Sequence, residues 1–413
     1  MSVEVHVARQ AVYDRANKVV AYELLFRALP NATSSTRNDE LASWQVLSAG
    51  FLDIGLDSLL KGKRALVNVP RSMLLDERIR LLPADVIGIE ILEDVEPDEE
   101  VLAACRALRA LGYLLVLDDY IGQPESEPLL DVVDWVKVDL RAIPKGGAAN
   151  LARQLKRRKV KLLAEKVETQ EEREGALAVG YDYFQGYFLH RPRLVGGRSL
   201  TAHHGAKLKL LVLLGSPDFT LQEVAKVIAH DVALCYRLIQ YSNSARFGAR
   251  REISSLQQCL MRLGENETRR WIAFVLLPTL ASGKSPELID AALARARMCE
   301  MLAEKAGLGT SQSKAFMAGM FTLMDALLGA PMPELVTQLG LGDELADVLL
   351  HRGQSDFGTL VHLVEAYERT SPHDILPMCE KLQLPLEAVG DAYLQALKWT
   401  AEVSEFSAPA RRP

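Results

Sequence analysis

The feature that most limits what this chain can fold into is a series of eight short apolar runs, most of which close on a polar or acidic residue. They lie at residues 3–9, 18–26, 64–70, 86–92, 113–119, 135–139, 160–169 and 181–188. Continuous apolar runs mark strands buried on both faces. Helix-period stretches stand between most of them, at about 39–60, 97–111, 144–158 and 169–178. Strands alternating with helices predict a parallel sheet, and eight such strands suggest closure into a TIM-like α/β barrel. One departure is expected. Tyr13-Asp14-Arg15-Ala16-Asn17 is a turn too short for a parallel crossover, so the first two strands should pair as an antiparallel hairpin.

In a β/α barrel the chemistry sits where strands end, so the closing residues of these runs are the candidates. The run from Val160 to Thr169 carries Glu165 and Glu168 with Lys166 between them. Asn68, Glu90, Asp118, Asp119, Lys137, Asp139 and Gln185 occupy matching places on other runs. A single carboxylate at a strand end is usually a solvated surface group. Glu23 and Arg27 taken alone read as a surface ion pair, Asn68 before Pro70 as a turn, and Asp139 as a neighbour's partner. The recurrence of polar ends from strand to strand is what raises them to a site.

At 413 residues the chain is too long for one ordinary core, and two domains are expected. The barrel pattern stops near residues 191–203, around Arg191-Pro192-Arg193 and Gly196-Gly197, giving a barrel over 1–195 and an all-helical domain over 200–405. A net charge of −6 without a long Lys/Arg run argues against a nucleic-acid polymer as partner. The N-terminus has no signal-peptide pattern, and no run approaches the ~18 apolar residues of a membrane span. Five scattered cysteines with no CxxC fit a reducing cytoplasm and offer no structural zinc site. The eight histidines form no HExxH, and the adjacent His203 and His204 read as linker.

Glu23-Leu24-Leu25-Phe26-Arg27 is similar to the Glu-Ala-Leu-x-Arg motif of the EAL domain, and the rest of that family's pattern follows in order over about residues 6–192. Gln10 falls at its Gln-Pro-Ile, Asn68 at its strand Asn, and Glu90 with Glu93 at its Glu-x-x-Glu. Asp118-Asp119 fall at its Asp-Asp-Phe-Gly, Lys137 and Asp139 at Lys-Ile-Asp, Glu165 and Glu168 at Glu-Gly-Val-Glu, and Gln185-Gly186-Tyr187 at Gln-Gly-Tyr. The resemblance implies hydrolysis of cyclic di-GMP to the linear dinucleotide with two Mg²⁺ or Mn²⁺ ions. Oxygen donors suit these cations, and the resemblance assigns them to Glu23, Asn68, Glu90, Asp118 and Asp119. It makes Glu165 a metal ligand or general base, with Glu168 as the second carboxylate of its pair. Lys137 would position the attacking water and balance charge, and Gln10, Arg27 and Gln185 would face the ligand, Arg27 at a phosphate. Glu93 would support the neighbouring loop. Three departures stand out, of which Leu24 in place of Ala is the mildest. Tyr120-Ile-Gly-Gln-Pro-Glu-Ser-Glu-Pro128 replaces the loop Phe-Gly-Thr-Gly-Tyr-Ser-Ser, which in the family couples the site to substrate and to a dimer partner. Lys166 replaces a Gly, which would cost about 1–2 kcal/mol if φ is positive there.

From about residue 205 onward the chain resembles the HDOD domain, a metal-free relative of the HD phosphohydrolases. Ile228-Ala-His-Asp-Val-Ala-Leu234, Asn243-Ser-Ala-Arg-Phe-Gly248, Ile253-Ser-Ser-Leu256 and Leu263-Gly264 carry that resemblance. After Ala318-Gly319-Met320-Phe321 come Thr322 and Leu323, where a metal-binding relative would need His and Asp. The implied role is partner binding or scaffolding, through an unidentified protein. The Met317, Met320, Leu323, Met324 and Leu327 stripe reads as core. Two readings stand side by side: a slow cyclic di-GMP phosphodiesterase, which leaves room for a homodimer, or a degenerate EAL receptor or interaction scaffold without turnover.

Overall fold

The computed structural model describes residues 6–27, 60–144, 147–188, 219–229, 232–243, 247, 255–280, 284–308, 312–339, 341–351, 355–369 and 372–407. The chain divides into two compact units, Met1–Arg191 and Pro192–Pro413.

In the first unit eight strands close into a barrel in sequential order: β1 (His6–Asp14), β2 (Val19–Arg27), β3 (Arg64–Val69), β4 (Ile87–Ile91), β5 (Leu114–Leu117), β6 (Trp135–Asp139), β7 (Lys161–Glu165) and β8 (Tyr183–Gln185). From β2 to β8 every neighbour is parallel, while β1 runs antiparallel to both β2 and β8. The first strand runs on to Asp14, past the end of the apolar run 3–9. The turn is tightened to the residues after Asp14, whose carboxylate accepts from the backbone N–H groups of Ala16 (2.8 Å) and Lys18 (2.9 Å). Besides a single helical turn at Arg71–Leu74, three longer helices follow strands among the described residues: α1 (Glu99–Ala110), α2 (Gly147–Leu155) and α3 (Gln170–Val179). Asp98 caps the first of these, and Thr169 with Glu172 forms a capping box on the third. The helix expected over 39–60 falls almost wholly outside the described residues.

Side chains alternate across a strand with period two, and this alternation builds the barrel interior. Val12, Ala21, Leu66, Val116 and Leu163 are fully buried and form one apolar plug, with Trp135 and Tyr183 packed against it. Gly88 completes the plug by having no side chain, since a Cβ there would meet Leu66 at 2.7 Å. Two residues further toward the mouth along β2–β8 stand Glu23, Asn68, Glu90, Asp118, Lys137, Glu165 and Gln185. On the reversed β1 the corresponding step runs backward, from Val12 to Gln10, which pairs with Glu23 across the ladder.

The second unit is helical throughout its described residues: α4 (Leu221–Ile228), α5 (Val232–Ser242), α6 (Leu256–Leu280), α7 (Pro286–Lys305), α8 (Gln312–Phe321), α9 (Met324–Leu328), α10 (Met332–Leu339), α11 (Asp343–Leu349), α12 (Asp356–Glu368), α13 (Pro372–Lys381) and α14 (Leu386–Ser407). Gly264 breaks the helical backbone of α6 with φ +72°. The centre is α7, buried along most of its length and packed by α8, α12 and α14. At Gly319 the backbone of α8 touches that of α7, where a Cβ would lie 2.5 Å from the Arg295 carbonyl oxygen. Met317, Met320, Leu323, Met324 and Leu327 are core, each 2% exposed or less. His230 and Asp231 lie outside the described residues. Among the described residues no helix is long and apolar enough to cross a membrane.

Candidate functional site

The polar ring at the barrel mouth is organised by Lys137. Its ammonium lies 2.8 Å from Asp118 Oδ1, 2.9 Å from Glu165 Oε1, 3.0 Å from Glu90 Oε1 and 3.3 Å from Glu23 Oε2. Each partner comes from a different strand or strand end, and Lys137 is 1% exposed. Glu23 and Glu90 are 5% and 0% exposed, so neither is a solvated surface acid. Burial acts to discharge the lysine, but the fields of Glu23, Glu90, Glu165 and Asp118 outweigh it and hold its pKa well above the ordinary value. For the carboxyls burial and crowding act together. Burial, then the charge of Glu23, raises Glu90 well above its ordinary value, against Lys137. Burial pushes Glu165 up to about 8, with Lys137 opposing and Asp118 and Glu23 adding to it.

Four carboxylates around one ammonium leave more acceptors than the protein satisfies. Asn68 Oδ1, Glu90 Oε2 and Gln185 Oε1 are buried and accept no hydrogen bond. Glu90 Oε1 and Asp118 Oδ1 face only the lysine. Buried polar groups left this way in a folded protein call for an explanation such as an ion. A divalent cation that prefers oxygen ligands fits this donor set.

The remaining candidates fall into two groups. Gln185 belongs to the ring: its side-chain N–H group donates to Glu23 Oε2 and, at 2.7 Å, to Gln10 Oε1, while Asn68 Nδ2 lies 3.5 Å from Glu23 Oε1. Asp119 has φ +40° and offers an oxygen within 4.8 Å of those of Asp118 and Glu93, the last of which is exposed. Glu168 stands apart from the lysine's four partners. It pairs with Arg141 at 2.5 Å, and its backbone N–H donates to Glu172. Arg27 ends β2, but its side chain lies outside the described residues.

Lys166 does adopt positive φ, +54°, at the position where the resemblance expects Gly. Its ammonium reaches Asp139 at 2.5 Å, so Asp139 is indeed a neighbour's partner. This rim pair was hidden in the sequence because the two residues are 27 apart. The altered loop is ordered: Tyr120 is buried, Gln123 accepts from the N–H of Ile121, and Pro124–Asp131 forms a 3₁₀ helix.

A family model for the EAL domain matches residues 38–192, and one for the HDOD domain matches 202–339. The protein YuxH of Bacillus subtilis is 33% identical over 96% of this chain and 98% of its own length. The chain belongs to the proteins that join an EAL domain to an HDOD domain. A second relative of this EAL–HDOD protein, the cyclic di-GMP phosphodiesterase CdgJ of Vibrio cholerae, is 31% identical over 97% of this chain and 93% of its own length. Among solved structures, the EAL enzyme Bd1971 is 17% identical with a TM-score of 0.38, over 45% of this chain and 61% of that one. BlrP1 of Klebsiella pneumoniae, in a manganese and cyclic di-GMP complex, is 24% identical with a TM-score of 0.37, over 45% of this chain and 55% of that one. This chain therefore spans less than two thirds of either of those two proteins. The EAL match begins after the Glu23–Arg27 signature, which the barrel itself brings to the mouth through Glu23.

Proposed function

We propose that the barrel, taken as residues 1–195, binds cyclic di-GMP in the cytoplasm and hydrolyses one of its phosphodiester bonds, with Mg²⁺ or Mn²⁺ held by Glu23, Asn68, Glu90, Asp118 and Asp119. The observation that carries this reading is the ring of buried, unsatisfied oxygens around Lys137 at the mouth of the barrel. The 31% identity to CdgJ over nearly the whole chain supports the substrate. When bound, a divalent pair supplies charge for the phosphoryl oxygens and lowers the pKa of water. Lys137 keeps the four carboxylates together and aimed inward before any cation arrives. Glu165, still tied to Lys137 through Oε1, is placed to take the proton of the attacking water as oxygen bonds to phosphorus and the ribose oxygen leaves. Gln10 and Gln185, hydrogen-bonded to one another, fix the β1–β8 side of the mouth against the ligand. The helical domain, taken as residues 200–405, would carry the output to a protein partner.

The test is to incubate the purified protein with cyclic di-GMP and either cation and to separate the products. Linear dinucleotide is expected, with Mn²⁺ binding lost in Glu23→Ala and Asp118→Ala while circular dichroism stays native. A second reading, a receptor without turnover, draws on the ordered loop after Asp119, whose 3₁₀ helix and Pro124 replace small, adaptable residues. Binding without product under both cations would select it.

A further inference from the structure

The helical unit contains a second cluster of metal-type donors that the proposed function does not use. His362 and Glu365 are three residues apart on α12 and so share one face. His351, just beyond α11, turns back onto that face from a left-handed backbone conformation, φ +55°. Its ring lies within 23° of the plane of His362, with centroids 4.9 Å apart, and its Nδ1 meets His362 Nε2 edge to edge at 2.7 Å. One donor atom from each of His351, His362 and Glu365 falls within 4.8 Å of the other two.

We infer that the helical domain holds a divalent transition-metal ion on His351, His362 and Glu365. Ligand nitrogens sit about 2.0–2.1 Å from zinc, so two on one ion stand about 2.9–3.4 Å apart. The two rings therefore need to separate by a few tenths of an ångström and to turn, so that both lone pairs meet at one ion rather than at each other. Without metal, facing nitrogens at 2.7 Å must share a proton. On binding, that proton moves to the far nitrogen of the same ring, so both imidazoles stay neutral and both facing nitrogens become lone-pair donors. Glu365 is buried, and its ion pair is long: Arg295 lies 3.5 Å from it but 2.7 Å from Glu368, and also donates to Thr322 Oγ1. Its carboxylate is thus the looser of Arg295's two acidic partners.

Around the three donors stand two further carboxylates, Glu368 and Asp325, and the arginines Arg295 and Arg369. His351, Glu365, Asp325 and Thr322 line a cavity of about 310 Å³. Three protein donors leave at least one coordination position to be filled from it, the pattern of an open rather than a closed zinc site. The donor set also differs in kind from the barrel's: imidazole nitrogen suits zinc, iron and nickel, whereas all-oxygen sets suit magnesium and manganese. All three residues lie beyond the segment matched to the HDOD model. This proposal departs from the expectation, drawn from Thr322 and Leu323, that the helical domain as a whole holds no transition metal.

The test uses the full chain with Mg²⁺ in excess to occupy the barrel's oxygen donors and Zn²⁺ as the probe. Elemental analysis after gel filtration should find one zinc per chain. His351→Ala, which removes an exposed ring, and His362→Ala should each lose it, and Glu365→Gln should weaken it about tenfold or more. Zinc should raise the melting temperature of wild type but not of His351→Ala, whose metal-free melting should match wild type. The inference is overturned if wild type holds no zinc, if His351→Ala keeps it, or if it is lost instead from a His203→Ala, His204→Ala double variant. Should His362→Ala fail to fold, His351→Ala decides.

Discussion

The carbonyl oxygen of Val167 lies 2.1 Å from the point where a side chain on Gly186 would begin. Gly186 has φ +139°, and the segments around the two residues are knitted by hydrogen bonds from Val167 N–H to the Gln185 carbonyl and from Phe188 N–H to the Val167 carbonyl. That contact sets the distance between Glu165 on one strand end and Gln185 on the next. Gly186→Ala should therefore cost about 1–3 kcal/mol from backbone strain alone and displace Gln185 from Glu23. Chemical denaturation and Mn²⁺ affinity would both fall, and an unchanged melting curve would count against the contact.

Lys137→Met tests the ammonium as the ring's internal counterion. Removing one partner of a buried charge cluster costs about 3–5 kcal/mol, because the remaining charges are left unpaired. In metal-free buffer the variant should melt far below wild type, and added Mn²⁺ should restore much of the difference. If Mn²⁺ stabilises both proteins equally, the cation and the lysine do not share these carboxylates.

The rim pair separates strain from charge. Lys166→Gly relieves about 1–2 kcal/mol of left-handed strain but gives up an ion pair worth about 0–1 kcal/mol and adds chain entropy to the unfolded state. Its stability should match or slightly exceed that of wild type. Lys166→Ala keeps the strain and loses the pair, so it should be the less stable of the two. Although burial acts to raise it, Asp139 is held below the usual carboxylate range by Lys166 and by the N–H groups of Arg141 and Ala142. A lowered acid stabilises the fold above its unfolded pKa and stops doing so as pH falls through its folded value. The deficit of Lys166→Ala should therefore shrink below about pH 4, as urea melts across pH would read.

Glu165→Gln should slow hydrolysis by roughly 10²–10⁴-fold, the usual contribution of a positioned base, while calorimetry finds cyclic di-GMP affinity within about a factor of ten. Replacing Tyr120–Ser126 by Phe-Gly-Thr-Gly-Tyr-Ser-Ser should raise the rate if the ordered loop is what limits it. A graft that leaves the rate unchanged assigns the limit elsewhere.

The barrel was legible because burial on both faces writes each strand as an apolar run, and because every inward residue at the mouth stands two places past a plug residue. Strand ends were less so: β1 runs on to Asp14, since pairing with β2 and β8 outlasts the apolar run. Glu23, Glu90, Asp118 and Lys137 could be picked out as strand-end residues, but their convergence on one ammonium depends on closure, which no local pattern encodes. Glu168 illustrates the converse, since its spacing from Glu165 places it past Val167, outside the lysine's reach and against Arg141. His351 and His362 gave no signal at all. Their spacing of 11 matches no ligand motif, and only the reversal between α11 and α12 brings them together.

The two-residue step from plug to ring has a consequence for how such a protein can change over generations. Inserting or deleting one residue ahead of the plug position in any of these strands would turn the plug residue outward and the polar residue two places on away from the mouth in the same event. A length change there therefore alters fold and chemistry together, and only a substitution can adjust one and spare the other. The segments after the strands are free of that constraint, and they are where this chain carries Lys166 and the stretch from Tyr120 to Pro128.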